Sequence, residues 1–349
     1  MILTLYHKHI AIIDGSCLKE PKQIFLSGCF LLSLYSVEAA ADYHVELSNR
    51  AFYTDDVALF TVTRQLSLLD DPTQPAVDRP SGRSDFIYEP TASVLLDLPE
   101  NFGDTTFFAE AGGYVFAENT DFTHANFQTA VSRQFESATT VSAIYRFVPD
   151  RLLGFNMVEQ EFGDAIEGNE SLTSHIWSIH VEQELTAWLA MHVLGRYGLR
   201  DYDGVFKHRS TDLWTLGTHF AIELTEDIEL FLGYHFEVGN ARNQRSIALN
   251  DDASYQTHYA SIEIETKLSE KIKLAVDFDF EKNCYTTMNR LDEHFGNPEE
   301  IFLGGIELRY ALSKESLVTL GLEHGNRQKR NEFIGFHNNN LWLGISHNF

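Results

Sequence analysis

The chain ends on Leu341-Trp342-Leu343-Gly344-Ile345-Ser346-His347-Asn348-Phe349, and the alternation in this stretch decides the fold. Leu341, Leu343, Ile345 and Phe349 share one side of an extended strand, because successive side chains point to opposite faces. Trp342, Gly344, Ser346 and Asn348 take the other side. The same split is sharper over 271–282, where Ile272, Leu274, Val276, Phe278 and Phe280 oppose Lys271, Lys273, Asp277, Asp279 and Glu281. A strand that is oily on one face and charged on the other is built for a wall between hydrocarbon and water.

Further period-two segments lie at about 84–98, 104–117, 123–135, 138–148, 172–185, 188–200, 211–224, 228–239, 255–268, 301–312 and 316–326. With 271–282 and 337–349 they make thirteen. A closed barrel wants an even number, so Val57–Arg64 is the expected fourteenth strand, with Val45–Tyr53 as its competitor. Tight polar turns (Glu100–Asp104, Glu136–Ala138, Thr186–Ala187, Thr225–Asp227, Ser269–Lys271, Ser313–Glu315) alternate with longer segments at 69–83, 149–171, 201–210, 240–254, 283–300 and 327–336. Short turns on one rim and long loops on the other are the second signature of a membrane barrel.

The terminal strand ending in Phe349 and the alternating connections resemble those of Gram-negative outer-membrane β-barrels, over residues 57–349. The likeness is greater to the monomeric fourteen-strand porin type than to trimeric general porins. It implies an all-β fold, a closed antiparallel transmembrane β-barrel of fourteen strands with twelve or sixteen as alternatives, short periplasmic turns and long extracellular loops. It also implies the outer membrane as location, outer-membrane lipid as surroundings, and engagement of the barrel-assembly machinery through the strand ending in Phe349. The expected function is passive diffusion of small hydrophilic solutes or ions. The alternative is a non-conducting binding, export or assembly component that acts through its extracellular loops, 149–171 and 283–300 in particular.

Composition is consistent with this. The 349 residues are 44% hydrophobic and 13% aromatic, and nothing after the first forty residues is long and apolar enough for a transmembrane helix. The formal net charge is -25, which disfavours nucleic acid as a partner. Of the three cysteines, Cys17 and Cys29 fall in the amino-terminal segment, which leaves Cys284 and no intrachain disulfide. Residues 1–41 read as a signal peptide with an extended lead. Lys19-Glu20-Pro21-Lys22 precedes an apolar run from Ile24 to Val37, and Ala39-Ala40-Ala41 offers cleavage after Ala41 or Ala39. Residues 42–349 are then the barrel.

Period two also assigns faces. Phe147, Trp177, Tyr197, Trp214, Tyr234, Phe236, Phe280 and Phe302 collect at the loop end of the apolar face, an aromatic girdle at the headgroup boundary. The opposite face carries Arg146, Glu182, Glu184, Arg196, Glu223, Glu229, Glu237, Glu263, Glu265, Asp277, Asp279, Glu307 and Arg309. Acids outnumber bases there, and Asp97, Glu184, Glu223, Glu229 and Glu265 gather near the turn end, so a weak cation preference follows from like charges focusing the field. His180, His192, His219 and His235 form a lumenal histidine cluster, read without a metal ion, and no cofactor is expected. The segment 149–171 either folds inward as a constriction or covers the mouth, and the lumen is either open or plugged. No constellation for an enzyme stands out: outward His175, His258 and His324 are isolated, and Ser261 faces the lumen.

Overall fold

The computed structural model describes residues 42–64, 81–99, 102–159, 165–242, 251–292, 294–329 and 335–349; the expected signal peptide lies outside them. Fourteen antiparallel strands close into one barrel in sequence order, the first pairing with the last. They are β1 (Asp42–Thr54), β2 (Asp85–Asp97), β3 (Thr105–Phe116), β4 (His124–Phe135), β5 (Thr139–Glu159), β6 (Ala165–Thr186) and β7 (Leu189–Tyr202). Next come β8 (Thr211–Thr225), β9 (Ile228–Ala241), β10 (Tyr255–Ser269), β11 (Ile272–Tyr285), β12 (Glu299–Ala311), β13 (Ser316–Lys329) and β14 (Phe336–Asn348).

Closure is made by the stretch that opened the sequence reading. Ser346 sits opposite Ser48 and Trp342 opposite Phe52, and the Phe349 N–H donates to the Val45 carbonyl at 2.8 Å. A closed ladder leaves no unpaired edge to be desolvated in lipid. The faces follow period two wherever the ladder is unbroken. Val276 and Phe278 are exposed on the outer wall, while Ala275 and Asp279 on either side of them are buried.

Two expectations are corrected. The first strand is β1, built on Val45–Tyr53, and Val57–Arg64 forms a helix, α1. Its opening residues Val57, Ala58, Leu59 and Phe60 are apolar without alternation and all are at most 2% exposed, which suits a helical turn surrounded by protein. Asp56 starts the helix: its carboxylate accepts the N–H groups of Ala58 at 3.0 Å and Leu59 at 3.1 Å, a helix N-cap. The second correction concerns 149–171. Most of this segment continues β5 and β6 as paired strands, with Phe155 opposite Asn169 and Met157 opposite Glu167. Register shifts at Val148/Arg151 and Leu152/Gly154 throw the alternation out of phase, so the pattern fades where the ladder persists. At 21 and 22 residues, β5 and β6 are about twice the length a membrane crossing needs.

The apolar core lies inside the loop-end half of the barrel. Phe60 packs edge-on to Phe52, Tyr114 and Phe116, with ring centroids 5.4 to 6.1 Å apart. The same buried cluster continues through Phe122, Leu153, Leu172, Tyr202 and Phe206 to Tyr259, Ile301 and Leu303, and so crosses from β1 to the opposite wall.

Candidate functional site

The lumen has three levels, each set by register. Nearest the turns, inward glutamates stand side by side: Glu223 is directly opposite Glu229, and Glu229 is directly opposite Glu265. One row up, Glu263 faces Asp277. Like charges placed directly opposite one another cost stability, so a fold that keeps three in a row carries an acidic field at that height. Among the described residues, the cations paired to this row lie on its β11–β12 side. Lys273 Nζ lies 2.7 Å from Glu265, and Arg309 bridges Glu265 and Glu307, its Nε 2.6 Å from Glu307. Trp342 Nε1 donates to the other Glu307 oxygen at 3.0 Å. Among the described residues, Glu182, Glu184, Glu223 and Glu229 form no ion pair.

The middle level holds the histidines. His180 Nδ1 and His192 Nε2 are 3.0 Å apart, the His192 and His219 rings are tilted toward each other with centroids 5.7 Å apart, and the Nε2 atoms of His219 and His235 are in hydrogen-bond contact. The lane continues through Tyr259, whose hydroxyl donates to Asp279 at 2.8 Å. Its middle depends on two antiparallel Gly-x-His stretches. Gly217 is opposite His235 and Gly233 is opposite His219, so each ring lies flat over the glycine across from it. A Cβ on Gly217 would stand 2.3 Å from His235 Cδ2, and one on Gly233 would stand 2.8 Å from His219 Nδ1. Among the described residues no group of three or more His, Cys, Asp or Glu has a metal-holding arrangement. Arg146 and Arg196 lie beside this lane, donating to Gln128 at 2.5 Å and Ser178 at 3.4 Å.

At the loop end, charge is neutralised locally. Glu237 accepts from Tyr255 and Thr215, each at 2.6 Å, and Arg200 donates to the same Tyr255 hydroxyl at 2.6 Å. Arg327 grips Glu299 at 2.7 Å, and Arg209 reaches both Glu170 at 2.9 Å and Asp251 at 2.7 Å. Sequence reading missed these last networks and α1 itself. The Asp56-Val57-Ala58-Leu59-Phe60 run, a capping residue before unbroken apolar residues, was the available signal for the helix.

Segment 55–64 is latched into the mouth. Besides capping α1, Asp56 accepts from Ser81 N at 3.1 Å, Ser81 Oγ at 2.8 Å and Gly82 N at 2.6 Å, so one carboxylate draws the returning chain back to the helix start. Asp55 accepts from Asn338 Nδ2 at 2.9 Å and Asn339 N at 2.8 Å, which ties the same segment to β14. On the outer wall the girdle rings meet in three groups. Phe147, His175, Trp177, Tyr197 and Trp214 contact ring to ring, with centroids 4.6 to 6.0 Å apart. Tyr234 and Phe236 meet His258, and Phe280 meets Phe302.

Over 89% of this chain and 98% of the other, the structure is similar to the outer membrane channel DcaP of Acinetobacter baumannii, with a TM-score of 0.50 at 10% sequence identity. The fold is that of an outer-membrane β-barrel. Similar structures also include the in-vitro folded outer membrane protein OmpT of Vibrio cholerae, TM-score 0.48 and 9% identity, covering 89% of this chain and all of that one (100%). A TodX monoaromatic hydrocarbon channel mutant gives TM-score 0.47 and 10% identity, covering 89% of this chain and 90% of the other. No known protein family and no curated protein matches the sequence. Apolar side chains face outward around the barrel, and no helix of the described residues is long and apolar enough to cross a membrane.

Proposed function

We propose that this barrel is an outer-membrane channel for small hydrophilic solutes or ions, with a weak preference for cations, whose loop-side mouth is narrowed by the inward segment 55–64. The row Glu223, Glu229, Glu265 carries this reading. Three carboxylates side by side on a lumenal wall, with Glu182 and Glu184 nearby and, among the described residues, paired cations on one flank, raise the local cation concentration and repel anions. The histidine lane and the arginines above it line the same path. They supply hydrogen-bonding wall without a fixed like-charge row.

Purified protein in planar bilayers tests the reading. Stable ohmic steps, with a reversal potential displaced toward the cation equilibrium value in a salt gradient, are expected. An anion-directed reversal potential overturns the selectivity.

One observation favours a second reading. The apolar cluster reaches across the loop-end lumen from Phe52 and Phe60 to Tyr202 and Phe206, which is also how a sealed barrel would be built. In that case the molecule is a binding, export or assembly component working through its projecting β5–β6 hairpin and outer loops. The same bilayers separate the two, since a sealed barrel gives no steps.

A further inference from the structure

The outer wall of a barrel is convex, and side chains of even size make it smooth. Here it is interrupted. A cavity of about 770 Å³ opens on the outward face of β3 to β9, within the size range of small-molecule sites and lined almost wholly by apolar groups. Its origin lies in two adjacent rows of the register. In one, Tyr145, Trp177, Tyr197 and Trp214 are successive cross-strand partners and stack into a shelf of rings. In the next row toward the turns, Ala143, Ile179, Gly195 and Leu216 are successive partners. Two of these four positions are small. Gly195 is exposed, and a Cβ placed on it would meet no atom within 4 Å. The groove is therefore a dent under a ledge, where small residues on the wall sit next to large rings.

We propose that this groove holds an acyl chain of a membrane lipid seated in the loop-side leaflet. Depth argues for this occupant. The ledge belongs to the girdle at the loop end, and the groove runs down from it toward Phe107 at the turn end of β3, so it lies within the hydrocarbon. Whatever fills a groove at that depth must be apolar along its whole length. The ledge also offers polar tips where a headgroup begins: the Tyr145 hydroxyl and His175 Nδ1 share a hydrogen bond at 2.8 Å on the outward face. Above it on β7, β8 and the residue after β9, Asp201, Asp212 and Arg242 form an exposed charged cluster, with Arg242 2.6 Å from Asp201 and 3.0 Å from Asp212. Ring shelf, apolar groove and charged fringe succeed one another in the order tail, interface and headgroup take in a lipid. A second copy of the chain would instead have to present a ridge that enters the dent.

The test fills the groove without touching the lumen. Gly195→Phe places a ring in open space at a position whose backbone needs no glycine, so folding is preserved. Ala92→Phe adds the same ring to the outward face of β2, away from the groove, as a control. Each protein is purified in mild detergent, supplied with phosphatidylethanolamine as the probe, and weighed intact by native mass spectrometry. Wild type and Ala92→Phe are expected to retain a lipid that Gly195→Phe retains about tenfold less well, the effect of losing roughly two methylenes' worth of contact. Equal lipid retention in all three overturns the proposal. A change in oligomeric state confined to Gly195→Phe, without a change in bound lipid, also overturns it and assigns the groove to a second copy. Conductance of Gly195→Phe should match wild type, so the outcome is separate from that of the channel reading.

Discussion

Replacing Asp56 by Ala should free α1 from the mouth and raise conductance. The Asp56 carboxylate accepts five hydrogen bonds, from Ala58, Leu59, Ser81 twice and Gly82, at 2.6 to 3.1 Å. A helix cap is worth about 1 kcal/mol, and a hydrogen bond to a charged acceptor contributes about 1.5 kcal/mol or more net. These terms do not add, because water satisfies the same N–H groups once the segment leaves. The latch therefore contributes roughly 2–4 kcal/mol. At about 1.4 kcal/mol per decade, its loss enlarges the released population about 30- to 1,000-fold. Apolar burial of Val57 and Phe60 still favours the inserted state, so Phe60→Ala, at about 3–5 kcal/mol for an emptied aromatic site, acts in the same direction. Single-channel recording in planar bilayers reads the result as larger or longer-lived open steps in both variants. If both remain folded by heat-modifiable gel mobility and both conduct as wild type does, α1 does not control the mouth.

Three further outcomes follow from the same geometry. Glu229→Gln removes the central charge from a row of three, so the reversal potential in a salt gradient should move toward zero while stability to urea rises by about 0.2–1 kcal/mol; a lowered stability would show that the row is not under mutual repulsion. Gly321→Ala would place a Cβ 2.1 Å from the Trp342 ring, which should cost about 1–3 kcal/mol and shift tryptophan emission as the bond to Glu307 loosens; unchanged emission and stability would contradict the packing. Ala138, in the tight turn between β4 and β5, holds φ at 54°, so Ala138→Gly should relieve about 1–2 kcal/mol of strain against about 0.4–1 kcal/mol of unfolded-state entropy and leave the barrel slightly more stable in the same urea titration.

Face assignment was legible because it depends only on parity, and parity survives wherever a ladder is unbroken. Lys273, Asp277 and Asp279 could be put on the wet side of β11 from Ile272, Leu274 and Val276 alone. Where parity breaks, reading fails for a physical reason in each case. The bulges after Val148 and Leu152 shift phase, so the β5–β6 hairpin looked like a loop. Val57–Phe60 has no alternation because every side of that turn is covered by protein, so forcing it into a strand was the wrong period. The loop-end networks could not be read at all. Arg209 and Asp251 are 42 positions apart, Arg209 and Glu170 are 39 apart, and only the curvature of the wall brings them together.

The lumen changes character along its axis, and the change has one cause. Near the turns, among the described residues, no helix enters the lumen, and Glu223 and Glu229 stand side by side with no ion pair. At the loop end α1 and the projecting hairpin displace water, and a charge left alone would bear the full desolvation penalty. That is where the fold places its closed sets: Glu237 with Tyr255, Thr215 and Arg200, Glu299 with Arg327, and Asp251 with Arg209 and His208. The histidines occupy the level between the acidic row and the paired networks, where a side chain able to donate and accept without a fixed charge suits both neighbours. Under the proposed function, selectivity and occlusion fall to different rows of the same strands. On that proposal, Glu229→Gln should alter which ion passes without disturbing Asp56, whose carboxylate holds the inward segment.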